Sequence, residues 1–161
     1  VLGFKQTQTM MLIFLVNIAS AVGAFAFGYW QDRIGHRLAL GVTLVGWIVM
    51  TLLAVAATSP TLFWVAALVA GLCMGSSQSA GRAMAGAFAP EHRLAEFFGL
   101  WTFAVRLAAI IGPMTYGLVT LLTAGNHRIA ILSTGVLFAI GLIVLPTVNV
   151  ARGVAPAQAA T

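Results

Sequence analysis

Gly28-Tyr29-Trp30-Gln31-Asp32-Arg33-Ile34-Gly35-His36-Arg37 is a compact knot of charge set between two long apolar stretches. Residues 6–31 carry no charged side chain, and neither do residues 38–81. About 20 apolar residues cross roughly 30 Å of hydrocarbon as an α-helix. The knot therefore reads as a loop joining two membrane-spanning helices, at a bend where charge is needed.

Working outward, 61% of the 161 residues are hydrophobic and 7% are charged, with a mean hydropathy of +1.03. A soluble domain of this length cannot bury so much apolar surface, so the bilayer must solvate it. The expected fold class is an all-α membrane protein with about five transmembrane helices, at residues 9–30, 38–57, 61–88, 96–123 and 129–148. The net charge of +5 comes from basic residues scattered singly between helices, with no aromatic-interleaved patch, so it is topological charge and no nucleic acid is expected. The lone Cys73 lies within an apolar helix and supports neither a disulfide framework nor a cysteine metal site.

The chain opens on Val1 with no basic n-region or cleavage site ahead of the apolar run, which predicts a fragment. Residues 151–161 are small and polar with one proline, and read as a disordered cytoplasmic tail. Residues 1–150 then form the membrane bundle. Lysine and arginine accumulate on cytoplasmic loops. One side holds Arg33, Arg37, Arg93 and Arg152, with Arg82 close by, while the other holds Lys5 and Arg128. The knot is thus expected to face the cytoplasm.

Each residue type in the knot has a physical use. Gly28 removes a side chain where helix ends approach, and Gly35 can adopt the positive backbone angle of a tight turn. Asp32 suits the free amides at a helix start. Arg33 and Arg37 can pair with acidic partners or anionic lipid head groups. Elsewhere, the second helix is uniformly apolar, which suits a lipid-facing position. The third places Gly71, Gly75, Gln78 and Arg82 at offsets of 0, 4, 7 and 11, which is one helical face. Asn17 falls near mid-membrane in the first helix, where its amide would seek a partner on a neighbouring helix. Arg106 lies about ten residues into the fourth helix, roughly 15 Å deep. It should face a watery cavity or bond carbonyls or polar groups and so hold the two halves together. Gly112-Pro113 can kink that helix and free backbone groups.

The spacing Gly28-x-x-x-Asp32-Arg33-x-Gly35-x-Arg37 resembles the signature loop of the major facilitator superfamily, with His36 departing from it. Gly75-Ser-Ser-Gln78-Ser-Ala-Gly-Arg82, Pro90-Glu-His-Arg93, Ala95-Glu-Phe-Phe-Gly-Leu100, Gly112-Pro113 and Val148-Asn-Val150 are similar to the C-terminal half of the vacuole effluxer-like family. That family includes an autophagy-related vacuolar amino-acid effluxer and bacterial relatives. The resemblance covers nearly the whole chain. It implies the second to sixth helices of one six-helix half, with the other half absent from this sequence. It also implies a bacterial inner-membrane setting and a secondary transporter working by alternating access that exports small solutes such as amino acids, with a proton as a coupling ion. By the superfamily's layout, Arg82 either pairs with Asp32 as a cytoplasmic latch or snorkels to the interface. Any substrate role then falls to Asn17, Gly71, Gly75, Gln78, Arg106 and Pro113, and the switch to Gly28, Asp32, Arg33, Gly35, Arg37 and Arg82.

Enzyme chemistry is not supported. Gly75-Ser-Ser77-Gln-Ser79 misses the Gly-x-Ser-x-Gly elbow, and His36, His92 and His127 all sit in loops. The three acidic residues make neither a carboxylate dyad nor a metal site, and no cofactor is expected. Without an intramembrane Asp or Glu, a proton-carrying carboxylate must lie elsewhere. The remaining alternative is a non-transporting scaffold or subunit, since five helices lack the pseudo-symmetric half that alternating access requires.

Overall fold

A computed structural model describes residues 5–148; the tail expected at residues 151–161 lies outside the described residues. Five long helices follow one another: α1 (Gln6–Ile34), α2 (His36–Ala56), α3 (Pro60–Phe88), α4 (Leu94–Leu122) and α5 (His127–Val144). Short 3₁₀ turns, Glu91–Arg93 and Leu145–Thr147, precede α4 and follow α5. All five spans are long and apolar enough to cross a membrane. Helices satisfy every backbone group within the segment, the form an apolar chain must take in lipid.

Local chemistry sets the boundaries. The Ser59 hydroxyl accepts from the Leu62 amide ahead of Pro60, which needs no N–H in the first turn. The Asn126 side chain accepts from the amides of Arg128 and Ile129 and starts α5.

The charged knot is not a loop. Helix α1 continues through Gly28 to Ile34, and one residue, Gly35, joins it to α2. Gly35 has φ 83° and ψ 152°, a region open essentially to glycine alone. Polar side chains at a helix end reach the interface while the backbone stays hydrogen-bonded, so charge alone does not end a helix. Nor does Asp32 cap the next one: α2 starts at Gly35 with no side-chain cap.

The interior is made of small residues. Ala39, Ala66, Ala80 and Ala130 are buried, and the largest fully buried side chains are Gln31 and Thr43. Large apolar residues point outward, with Phe25 83% and Leu121 79% exposed. Membrane bundles invert the soluble pattern in this way, because lipid solvates large apolar side chains and close backbone approach needs small ones.

Helices α1 and α3 pack side by side in the same direction. A Cβ on Gly75 would lie 1.8 Å from the Ser20 carbonyl oxygen, one on Gly71 2.6 Å from that of Val16, and one on Gly23 2.4 Å from that of Leu72. Gly71 and Gly75 thus form a Gly-x-x-x-Gly contact of the membrane type. Helix α2, expected at a lipid-facing position, lies between α3 and α5, with Ala39, Thr43 and Thr51 buried. Its exposed large apolar side chains, Leu38, Val42, Val45, Val49 and Leu52, form one row. Trp47 stacks on Phe138 of α5 at 5.0 Å and donates its indole N–H to the Ser77 hydroxyl of α3 at 2.9 Å. Helix α4 has no buried residue and touches α3 and α5. It runs unbroken through Pro113, whose missing N–H leaves the Ala109 carbonyl without its helical donor.

Candidate functional site

Alongside the glycine contact of α1 and α3 runs an open cleft of about 660 Å³, lined by Asn17, Ser20, Gly75, Gln78, Ser79 and Arg82 with small alanines between them. The parallel packing that seats Gly75 on Ser20 sets this register. Asn17 then lies toward one end and Arg82 at the other, near the end of the bundle that carries the knot. From these two helices the cleft gathers the amides of Asn17 and Gln78, the hydroxyls of Ser20 and Ser79, and the Arg82 cation.

Three of the residues expected along a substrate path, Asn17, Gly75 and Gln78, meet in this cleft, and Arg82 joins them. Asn17 does not reach a neighbouring helix: its Nδ2 donates to the Ile13 carbonyl one turn earlier at 2.8 Å, which leaves Oδ1 available. Gln78 is exposed. Gly71 is buried against the α1 backbone and serves packing. Arg106 and Pro113 lie on α4, outside the cleft lining, and both are exposed.

Arg82 places its guanidinium 5.2 Å from the centre of the Trp101 ring on α4, a cation–π contact. It does not pair with Asp32 here. The ion pair among the described residues is Arg93 with Glu96, in which Arg93 Nε donates to the carboxylate at 2.9 Å. Arg33 bonds the Tyr29 hydroxyl and lies 4.7 Å from its ring centre. Gly28 faces Ser79, where a Cβ would make an ordinary 3.5 Å contact; the space between these helices does not by itself require glycine there.

Sequence reasoning did not single out Ser20, Ser79 and Trp101 as site residues, nor Gln31. Ser79 precedes Arg82 by three residues, the spacing of one helical face, so its place was legible. Gln31 gave no signal. It is 1% exposed, its Nε2 lies 2.7 Å from His36 Nδ1 across the α1–α2 junction, and its buried Oε1 has no partner among the described residues. His36, the departure from the signature pattern, thus has a bonding role of its own.

Two curated relatives align with much of the chain. The uncharacterized MFS-type transporter YxiO of Bacillus subtilis is 24% identical over 144 residues, covering 89% of this chain and 33% of that protein. The Na(+), Li(+), K(+)/H(+) antiporter of Planococcus maritimus is 29% identical over 109 residues, covering 65% of this chain and 26% of that protein. The chain therefore spans about a third or less of the curated relatives it matches. No solved structure matches it significantly. The pattern of the vacuole effluxer Atg22-like family matches residues 1–158. With that pattern over nearly its whole length and five spans fit to cross a bilayer, this multi-pass membrane chain belongs to the vacuole effluxer Atg22-like family.

Proposed function

We propose that this chain is most of one six-helix half of a secondary transporter, and that the α1–α3 cleft is its share of the substrate path. The observation that carries this reading is the cleft itself, about 660 Å³ of space that two amides, two hydroxyls and a guanidinium reach between two helices of membrane-spanning length. Amides held at membrane depth, such as those of Asn17 and Gln78, are expensive unless water or solute reaches them. A carrier function gives them that contact, whereas an enzyme would need a nucleophile and base that this cleft does not bring together.

The substrate is a small solute bearing a carboxylate, such as an amino acid. No carboxylate lines the cleft, and its one charge is the Arg82 cation. A bare metal cation would find amide and hydroxyl oxygens but no neutralising anion there. Residues 1–150 supply one bundle; the other half, outside this chain, closes the path, and rocking of the two exposes it to each side in turn. The knot end faces the cytoplasm by the positive-inside rule, in the inner membrane of a bacterium. Asp32 and Arg82 pair in the state opposite to the one seen here. A proton supplies the coupling, carried by a group in the other half.

The full-length protein in liposomes tests this. Labelled amino acids should move, faster with a proton gradient than without, and Gln78→Ala should slow them. If instead labelled sodium or rubidium moves and amino acids do not, the cation reading suggested by the antiporter relative replaces it. If nothing moves down any imposed gradient, the scaffold alternative stands.

A further inference from the structure

A second groove, of about 380 Å³, lies between the start of α2 and the end of α5. Arg37 stands at its mouth, and Leu38, Gly41, Val45, Leu142 and Leu145 line it inward. We propose that this groove holds one acyl chain of an anionic glycerophospholipid, with the lipid phosphate against the Arg37 guanidinium.

Charge selects the head group. Arg37 is exposed and forms no hydrogen bond or ion pair with the described residues. The other arginines described at this end differ: Arg33 is held by Tyr29, Arg82 rests on Trp101 and Arg93 is held by Glu96. A guanidinium matches a phosphate with two parallel donors. The groove selects the rest. From Arg37 to Val45 the α2 wall is about 12 Å long, running from the polar interface into hydrocarbon depth. Gly41 keeps it open, since a Cβ there would already touch the Leu145 side chain at 3.4 Å.

Position excludes a peptide occupant. The membrane stretches of α2 and α5, residues 38–56 and 129–144, carry no ionisable side chain, whereas α3 and α4 carry Arg82 and Arg106. The α2–α5 side is therefore the side fit for lipid. An extended segment laid in an apolar groove there would leave its backbone groups unsatisfied, which an acyl chain does not.

Native mass spectrometry of the full-length protein tests the assignment, using equal amounts of phosphatidylglycerol and phosphatidylcholine with identical acyl chains. Wild type should retain phosphatidylglycerol about fivefold over phosphatidylcholine, the ratio one arginine near an anionic surface is worth. Arg37→Gln should bring that ratio close to one, and Arg37→Lys should preserve most of it. Arg93→Gln should leave it unchanged. Gly41→Leu fills the groove and should abolish retention of either lipid. Equal retention of the two lipids by wild type overturns the proposal without any variant. So does an unchanged ratio in Arg37→Gln or undiminished retention in Gly41→Leu; if Arg37→Gln does not fold, wild type and Gly41→Leu decide.

Discussion

At the scale of single residues, Gly75 has the least room of the described glycines, because a Cβ there would sit 1.8 Å from a backbone oxygen of Ser20. That oxygen belongs to a helix, so no side chain can swing aside; α1 and α3 must part. Gly75→Ala should therefore destabilise the fold by about 1–3 kcal/mol, the usual range for overpacking. It should also distort the cleft that opens beside this contact. Gly86→Ala is the matched control. Its Cβ would meet only the Phe98 ring at 3.7 Å, and replacing glycine inside a helix gains up to about 1 kcal/mol. Thermal unfolding of both variants in the same detergent checks the contrast. Equal melting temperatures would mean that the glycine contact does not hold the two helices.

At the scale of elements, the proposed switch lies between the end of α1 and the end of α3. Asp32 and Arg82 lie toward the same end of two parallel helices, yet Arg82 rests on Trp101 of α4. A contact made in one state and broken in the other couples the states by about 1–3 kcal/mol. Neutralising either residue should then slow transport roughly tenfold, and exchanging the two charges should recover much of the loss. A double exchange as inactive as either single change would remove the latch. The five helices were legible because each is a long, predominantly apolar run bounded by turn chemistry such as Ser59-Pro60. The end of α1 was not, since charge at Asp32 and Arg33 suggests a loop while the helical hydrogen bonds continue to Ile34. The meeting of Asn17 with Gln78 depends on the parallel register of two helices separated by α2, and no local pattern encodes that. The face shared by Gly75, Gln78 and Arg82 was readable from spacing alone. Gly71, on the same face, proved to be its packing end.

At the scale of the whole molecule, the bundle presents two unlike sides. One carries the exposed row Val42, Val45, Val49 and Leu52 on α2. The other opens the α1–α3 cleft, and α4 carries Arg106 exposed at a depth where a charge needs water or a polar partner. Such asymmetry fits a half-transporter with lipid on one side and a water-filled path on the other, and thiol chemistry separates the two. Only a thiolate reacts with a maleimide, and a thiol surrounded by hydrocarbon stays protonated. On a Cys73→Ser background, which removes the chain's one native thiol, Asn17→Cys and Gln78→Cys in the full-length protein should be labelled by a membrane-impermeant maleimide. Val49→Cys and Leu52→Cys, at similar membrane depth on α2, should react at least roughly tenfold more slowly, because desolvation lowers the thiolate fraction by a unit or more of pKa. Saturating transported solute should then slow labelling at Gln78→Cys and leave the α2 positions unchanged. Faster labelling on α2 than in the cleft would invert the assignment of the two sides, and with it the path.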